Sequence, residues 1–476
     1  MHMWKLAFTL LISLNVTIGA MLLWQWNAYS EYHNPSELGK DEKAVQHITI
    51  ESKGGVLSVT QVIEGLEGKD EYRINAPNII SEWECATDDG AACSSEDDNS
   101  NSLQAQNESL TFRYQIKLND DDSAFLLRDW LIQLPDVEVT HTTVDVISET
   151  GREGTWVAGF PLKGYSKLEY IDYYVFEGKG GNGSLYWQPT PLVQRAGGNG
   201  IQLYTTNDSQ ANLSKGPFEK IPNFNEMAVV LTDSFAETNG NGLMIAKPSL
   251  DSQKLERRMI DHYFLEKAPE LPSEERWILG VLTSIVEERE SHNPKVNLLI
   301  EELKRHFTED EIAQFLALIV KENSLTPQKM DEILSSIAEK NTRFFSLNKN
   351  AETNALPLYF YDSRSLYIGD ALKKDIDVIL VGNEQYFPFI ETMSALGYKV
   401  QLLDDHETVL VNLRNDSYRF YVSQNIYSYN QKHLGLLENP LRMINGRPYM
   451  SNRMLKSLFQ VSFNENEDEI KLSLNE

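Results

Sequence analysis

The C-terminal part of the chain carries one pattern twice, and a tandem repeat restricts the fold more than any other feature. The segment EQYFPFIETMSALGYKVQLLDDHETVLVNL is followed by GRPYMSNRMLKSLFQVSFNENEDEIKLSL. Tyr386 aligns with Tyr449, Val400 and Leu402 with Val461 and Phe463, and Val409, Val411 and Leu413 with Ile470, Leu472 and Leu474. Each copy reads as a short helix followed by two strands joined through an acidic turn. The turns Asp404-Asp405 and Glu465–Glu469 fall at matching places, as hairpin tips should. A unit this small buries little apolar surface by itself, so the two copies are expected to share one core.

Ahead of the repeat the chemistry changes twice. HITIESKGGVLSVTQVIEGL, LTFRYQIKL and VEVTHTTVDVIS alternate apolar and polar residues, the period of half-buried strands, and Gly54-Gly55 marks a hairpin. SSEDDNSNSLQAQNES reads as a polar loop, and Asp120-Asp121-Asp122 as a solvated turn without calcium-loop spacing. From about residue 250 the apolar period becomes helical. Ser273 is a candidate cap, Asn293-Pro294 and Thr326-Pro327 are cap-plus-proline starts, and Thr308 with Glu311 forms a capping box. A linker is expected around Asn348–Asn354.

At the other end, Leu6 to Trp24 is an uncharged, mostly apolar run of 19 residues, preceded by Lys5 and followed by no charge until Glu31. That length spans a bilayer, and the charge asymmetry leaves the N-terminus in the cytoplasm and the bulk of the chain outside. A cleaved signal peptide is the competing reading, but Ile18-Gly19-Ala20 is a poor cleavage pattern. The expectation is thus a multidomain α+β protein at the cell membrane. It has a signal anchor within 1–26, a tether at 27–45, a β-rich, sandwich-like domain at 46–250, a helical domain at 251–347 and a tandem βα-repeat domain at 355–476.

Forty-three basic against 70 acidic residues give a formal net charge of −27, which disfavours nucleic acid as a partner. Cys85 and Cys93 enclose the short loop CATDDGAAC on the expected outer side. Their spacing permits a disulfide and leaves free thiols or a metal open. An aromatic run surrounds the glycine turn Gly180–Gly183, and Tyr173, Tyr174 and Trp187 are candidates for a ligand-stacking face. The other reading makes them filling for a β core. The glycines lack the strand, lysine and helix context of a phosphate cradle.

The repeat resembles the stalk domain named after the N-terminal domain of copper amine oxidases. Asn445, Gly446, Tyr449 and Arg453 keep its pattern in the second copy, and Pro388, Ala395, Leu396 and Gly397 in the first. Ser451 stands where proline is usual, and Ile390 where arginine is usual. The resemblance implies a non-catalytic module common on surfaces of Gram-positive bacteria, and neither copper nor amine oxidation. More faintly, IDHYFLEKAPELPSEERWILGVLTS resembles the HExxH region of zinc aminopeptidases, in degenerate form. His262 is followed by Tyr263, Glu266 stands in place of a second histidine, and Gly280 lies where a later glutamate ligand is needed. No G-x-S-x-G elbow is present.

No cofactor or metal is therefore expected. The leading functional reading is a membrane-anchored extracytoplasmic binding or spacer protein whose partner is cell-wall polymer or an envelope protein. The alternative is an envelope hydrolase, peptidase-like, with a degenerate or unrecognised site.

Overall fold

The computed structural model describes residues 44–66, 71–88, 90–93, 102–103, 108–118, 123–149, 154–198, 201–206, 216–221, 224, 227–405, 407–422 and 424–474. The expected anchor Leu6–Trp24, the tether up to residue 43 and the Asp120–Asp122 turn lie outside these residues. Among the described residues no helix is long and apolar enough to cross a membrane. The first described strand begins at Ala44, two residues before the expected start of the β-rich domain.

The chain divides into two units, residues 1–189 and 190–476. In the first, alternation produces the strands that the pattern predicts. β1 (Ala44–Lys53) and β2 (Val56–Glu64) form a hairpin at Gly54 and Gly55, which take φ of 54° and 74°. β3 (Trp83–Thr87), β4 (Ser109–Lys117), β5 (Phe125–Leu127), β6 (Val139–Glu149), β7 (Thr155–Ala158), β8 (Leu162–Lys167), β9 (Ile171–Lys179) and β10 (Leu185–Gln188) follow. Seven make one sheet in the order β8-β9-β6-β1-β2-β4-β3, antiparallel except where β1 runs parallel to β6. β5, β10 and β7 make a second sheet. Both contribute to one core, with Ile48, Val59, Phe112 and Val146 from the large sheet and Trp156, Leu185 and Trp187 from the small one. Within the core Gln61 Nε2 donates to Gln46 Oε1 and to the Ile132 carbonyl, each at 2.7 Å, and Tyr114 donates to Gln61 Oε1 at 3.1 Å. Burial is tolerated there because the amides find partners. Cys85 and Cys93 form a disulfide, with Cα atoms 5.4 Å apart.

The second unit moves the boundary expected at residue 250. β11 (Val193–Gly198), β12 (Ile201–Thr205), β13 (Ala228–Leu231), β14 (Thr238–Gly240) and β15 (Leu243–Ala246) form a sheet in the order β11-β12-β13-β15-β14. β12, β13 and β15 run parallel. AVVL and LMIA are buried at every position, as strands of a covered parallel sheet must be. The cover is helical, since Leu203, Val229 and Met244 share one core with Leu255, Met259, Ile260 and Leu282. These strands therefore belong with the helices.

The helices are α1 (Ser252–Glu266), α2 (Gly280–Glu287), α3 (Pro294–His306), α4 (Glu309–Lys321), α5 (Pro327–Ala338) and the short α6 (Phe344–Asn348). Asn293 and Thr326 cap α3 and α5, and the Thr308–Glu311 capping box is formed on α4. Ser273 is not a cap. Its hydroxyl donates to Glu274, and the chain enters α2 through a 3₁₀ turn, Arg276–Leu279, without a side-chain cap.

The linker expected at 348–354 is clamped. Buried Asn348 donates to the Phe344 and Leu356 carbonyls and accepts from Leu356 N. Lys295 Nζ donates to the Asn350 carbonyl at 2.6 Å, and Trp277 Nε1 to that of Lys349 at 2.9 Å. The repeat domain is thus continuous with the helical body.

In the repeat domain β16 (Asn341–Thr342), β17 (Phe360–Tyr361), β18 (Ser365–Ile368), β19 (Ile379–Val381), β20 (Glu384–Pro388), α7 (Phe389–Ala395), β21 (Lys399–Leu402), β22 (Thr408–Leu413), β23 (Asp416–Tyr421), β24 (Ile426–Tyr429), β25 (Lys432–Gly435), β26 (Arg442–Ile444), β27 (Arg447–Ser451), α8 (Asn452–Phe459), β28 (Val461–Glu465) and β29 (Glu469–Leu474) succeed one another. Each copy is hairpin, helix, hairpin: β19-β20, α7, β21-β22, and β26-β27, α8, β28-β29.

β20 pairs antiparallel with β27, setting Tyr386 against Ser451, Phe387 against Met450 and Pro388 against Tyr449. Equivalent residues thus meet at the centre, and the copies are related as the halves of a two-fold dimer. Val409, Val411 and Phe389 share a core with Ile470, Leu472 and Phe459.

Candidate functional site

Asp251 starts α1, accepting from Gln253 N at 2.9 Å and Lys254 N at 3.3 Å. Near its other end His262 and Glu266 lie one turn apart on the same face, as their spacing requires. That face meets the β14-β15 hairpin. His262, 4% exposed, places Nε2 2.9 Å from the Gly240 carbonyl. A carbonyl only accepts, so the proton resides on Nε2. Glu266 Oε1 accepts from Gly242 N at 2.5 Å and lies 3.4 Å from His262 Nε2. The pair thus pins the tip of the hairpin onto α1.

These residues do not fit a zinc ion. Zinc takes the lone pair of a ring nitrogen; here Nε2 is engaged as a donor, and Nδ1, buried without a partner, would be a single ligand with no second histidine on the helix. Gly280 has no side chain to offer. Among the described residues no group of three or more His, Cys, Asp or Glu side chains could hold a metal.

The polar groups that α1 turns toward α2 lie on another face. Arg257 Nη1 bonds Glu287 Oε2 at 3.0 Å, and its Nη2 reaches Ser284 Oγ at 3.3 Å. Thr283 donates to Asp261 Oδ1 at 2.6 Å. Burial raises the Glu287 carboxyl above the usual carboxylate range, and the Arg257 guanidinium opposes that shift. The Arg257 guanidinium thus holds the acidic and hydroxyl groups of α2 against α1. Sequence reasoning missed this cluster because its partners lie some 30 positions apart on separate helices.

The aromatic candidates separate. Trp187 is 3% exposed and Tyr174 5% exposed, so both are core residues and unavailable to a ligand. Trp187 packs against Phe125 and Trp156, and Tyr174 stacks with Phe176. The nearby glycines serve packing. Gly180 takes φ of 84°, and a Cβ on Gly183 would overlap the Phe160 ring.

Only Tyr173 faces outward. Its hydroxyl donates to Asp145 Oδ1 at 2.8 Å, and the other carboxylate oxygen lies 2.9 Å from His47 Nε2. Three adjacent strands, β9, β6 and β1, assemble this line of side chains. The hydrogen bond to Asp145 raises the His47 pKa, with partial burial acting against it. The Tyr173 hydroxyl is pushed up to about 12 by burial and by Asp145. No sequence motif marks the trio.

The repeat residues have architectural roles. Asn445 and Gly446, with φ of 50° and 77°, form the tight turn between β26 and β27. Tyr449 is buried opposite Pro388. Gly397 takes φ of 95° after α7, and Gln460 takes the same left-handed position after α8. Arg453 bonds Glu384 Oε1 at 3.2 Å and also Glu438. Ser451 compensates for the absent proline by capping α8, accepting from Met454 N at 3.3 Å.

No curated protein matches the chain in sequence. Among solved structures, the M1 zinc metallopeptidase of Deinococcus radiodurans is similar at 11% identity and a TM-score of 0.46, over 66% of this chain and 94% of that one. A point mutant of that peptidase gives 10% identity and a TM-score of 0.43, over 62% and 90%. A two-domain M1 zinc metallopeptidase bound to L-arginine gives 13% and 0.44, over 66% and 94%. Residues 368–474 match the family described as copper amine oxidase N-terminal domain, and it is this C-terminal segment of the chain that is identified with that family.

Proposed function

We propose that the chain is a non-catalytic binding or spacer protein of the bacterial envelope, held in the membrane by Leu6–Trp24 with the bulk of the chain outside. The observation that carries the non-catalytic reading is the engagement of His262 and Glu266 with Gly240 and Gly242, which leaves no donor set for a peptidase metal on α1. The match of residues 368–474 to the copper amine oxidase N-terminal domain, read as a non-catalytic surface module, supports it further. The partners are cell-wall polymer or another envelope protein.

Cell fractionation and N-terminal sequencing test the location, with an intact N-terminus in the membrane fraction expected. A soluble product beginning after residue 20 overturns the anchor. Incubation of the purified chain with peptide substrates, with and without added zinc, tests the rest. Zinc-dependent hydrolysis lost in His262→Ala would replace the binding reading with a peptidase.

A further inference from the structure

The two-fold relation within the repeat domain exposes a difference between its halves. The six-stranded sheet runs β16-β17-β19-β20-β27-β26. β19 and β26 are equivalent, each the outer strand of a hairpin that meets its counterpart at the β20-β27 junction. β19 is covered on its outer edge by β17, with Phe360 against Leu380 and Tyr361 against Ile379. Among the described residues β26 ends the sheet, and Met443, the equivalent of Leu380, is 42% exposed.

The hydrogen-bonding phase at this edge follows from the hairpin. The two-residue turn Asn445-Gly446 makes Ile444 and Arg447 a hydrogen-bonded pair, and such pairs alternate with non-bonded ones. Met443 opposite Pro448 is therefore a non-bonded pair, consistent with proline having no N–H to give. The N–H and C=O of Met443 consequently point away from β27, to the open edge. In the other half the same groups of Leu380 face Phe360.

We infer that β26 is a docking edge for an extended peptide segment of another protein, which adds as an antiparallel strand in the way β17 covers β19. The covering strand supplies the template for two aromatic residues, one opposite Met443 as Phe360 is opposite Leu380 and one opposite Arg442 as Tyr361 is opposite Ile379. The exposed Arg442 guanidinium adds a preference for an acidic neighbour. Charge supports this chemistry. Arg442 stands where the other half has Ile379 and is exposed, and Arg447 beside it is 68% exposed although 3.9 Å from Glu391. A second copy of the chain fits less well, because self-pairing centred on Met443 brings two Arg442 side chains into diagonal contact. The inference rests on the reading of the chain as a binding protein and narrows its partner to a polypeptide with a strand-forming, acidic and aromatic segment.

The probe is a fluorescent peptide with the sequence of residues 357–363, PLYFYDS, titrated into the full-length chain purified in detergent. Saturable binding is expected, weakened at least about tenfold by Arg442→Glu and by Met443→Pro, and abolished when the peptide is N-methylated at its phenylalanine. Undiminished binding of the N-methylated peptide, or equal affinity for wild type and Arg442→Glu, overturns the assignment. Absence of saturable binding overturns it as well. So does a dimer that Met443→Pro dissolves while the peptide fails to bind, which would give the edge to a second copy. The assay uses purified protein, so its result is independent of the fractionation experiment that tests the location.

Discussion

In the first copy of the repeat, β20 passes into α7 through Pro388, which sets the backbone direction and offers no capping group; in the second, Ser451 stands at that place and caps α8. The first helix ends on Gly397 in the left-handed region and the second on Gln460. The terminal hairpins also differ in register. Leu402 faces Val409 in one, whereas Glu465 faces Ile470 in the other. A shift by an even number of residues leaves the inward face inward.

What the copies keep is the apolar contact across the shared core. Phe389 begins α7, Phe459 ends α8, and their rings lie 5.9 Å apart. Caps and turns can be exchanged at about 1 kcal/mol each, whereas core volume cannot, and that ordering explains which differences accumulated.

The largest effects should therefore come from the core. Phe389→Ala and Phe459→Ala should each cost about 3–5 kcal/mol, and Leu472→Ala about 2–5 kcal/mol. Chemical denaturation followed by probes in each copy should show one shared transition shifted in every variant. If Phe389→Ala melts one copy and spares the other, the common core is wrong.

The next effect concerns the strand that covers the first copy alone. β17 lies on β16, which leads into α6, and Asp331 of α5 accepts from Phe345 N at 2.7 Å and Ser346 N at 2.9 Å at the start of that helix. Burial raises the Asp331 carboxyl to about 6, and the hydrogen bonds only partly oppose the shift. A raised carboxyl contributes stability below its unfolded value, near 4, and loses it as pH rises through about 6. Between about pH 4 and pH 7, wild type should lose on the order of 3 kcal/mol relative to Asp331→Asn. Thermal melts across that range measure the difference, and parallel pH profiles would remove Asp331 from the account.

The repeat was legible because its period, turn residues and helix length are all local. An Asn-Gly pair predicts a tight turn wherever it falls. That β12, β13 and β15 pack with the helices was not legible, because AVVL and LMIA look alike whether a sheet or a helix covers them. At α1 the spacing revealed that His262 and Glu266 share a face. It could not reveal that this face meets Gly240 and Gly242, since that contact is made by the fold. The aromatic run was partly decidable. Alternation along β9 puts Tyr174 and Phe176 on one face and Tyr173 on the other, so one of the two tyrosines had to be buried. The line from Tyr173 through Asp145 to His47 joins three strands distant in sequence and leaves no trace in any one of them.

Smaller effects should appear at the helix starts. Ser451→Ala removes the side-chain acceptor for Met454 N and should cost about 1 kcal/mol, within a range of roughly 0.5–2 kcal/mol. Pro388→Ala removes no such acceptor, so any loss there should be independent of a capping bond. Denaturation midpoints of the two variants measure the asymmetry. An unaffected Ser451→Ala would mean that water replaces the hydroxyl at the α8 terminus.

The smallest expected effect is also the one whose sign should reverse between the copies. Gly397 and Gln460 both lie in the left-handed region, at φ of 95° and 56°. An L side chain there costs about 1–2 kcal/mol, while glycine adds about 0.4–1 kcal/mol of unfolded-state entropy to be lost on folding. The backbone strain outweighs the entropy. Gln460→Gly should therefore stabilise by roughly 0.5–1 kcal/mol, and Gly397→Ala should destabilise by a similar amount. A Cβ on Gly397 would meet nothing within 4 Å, so the loss would come from backbone conformation and not from a clash. Urea midpoints of the two variants provide the measurement. If both shift in the same direction, then at one of these helix ends the left-handed turn does not persist in solution, and the equivalence of Gly397 with Gln460 fails with it.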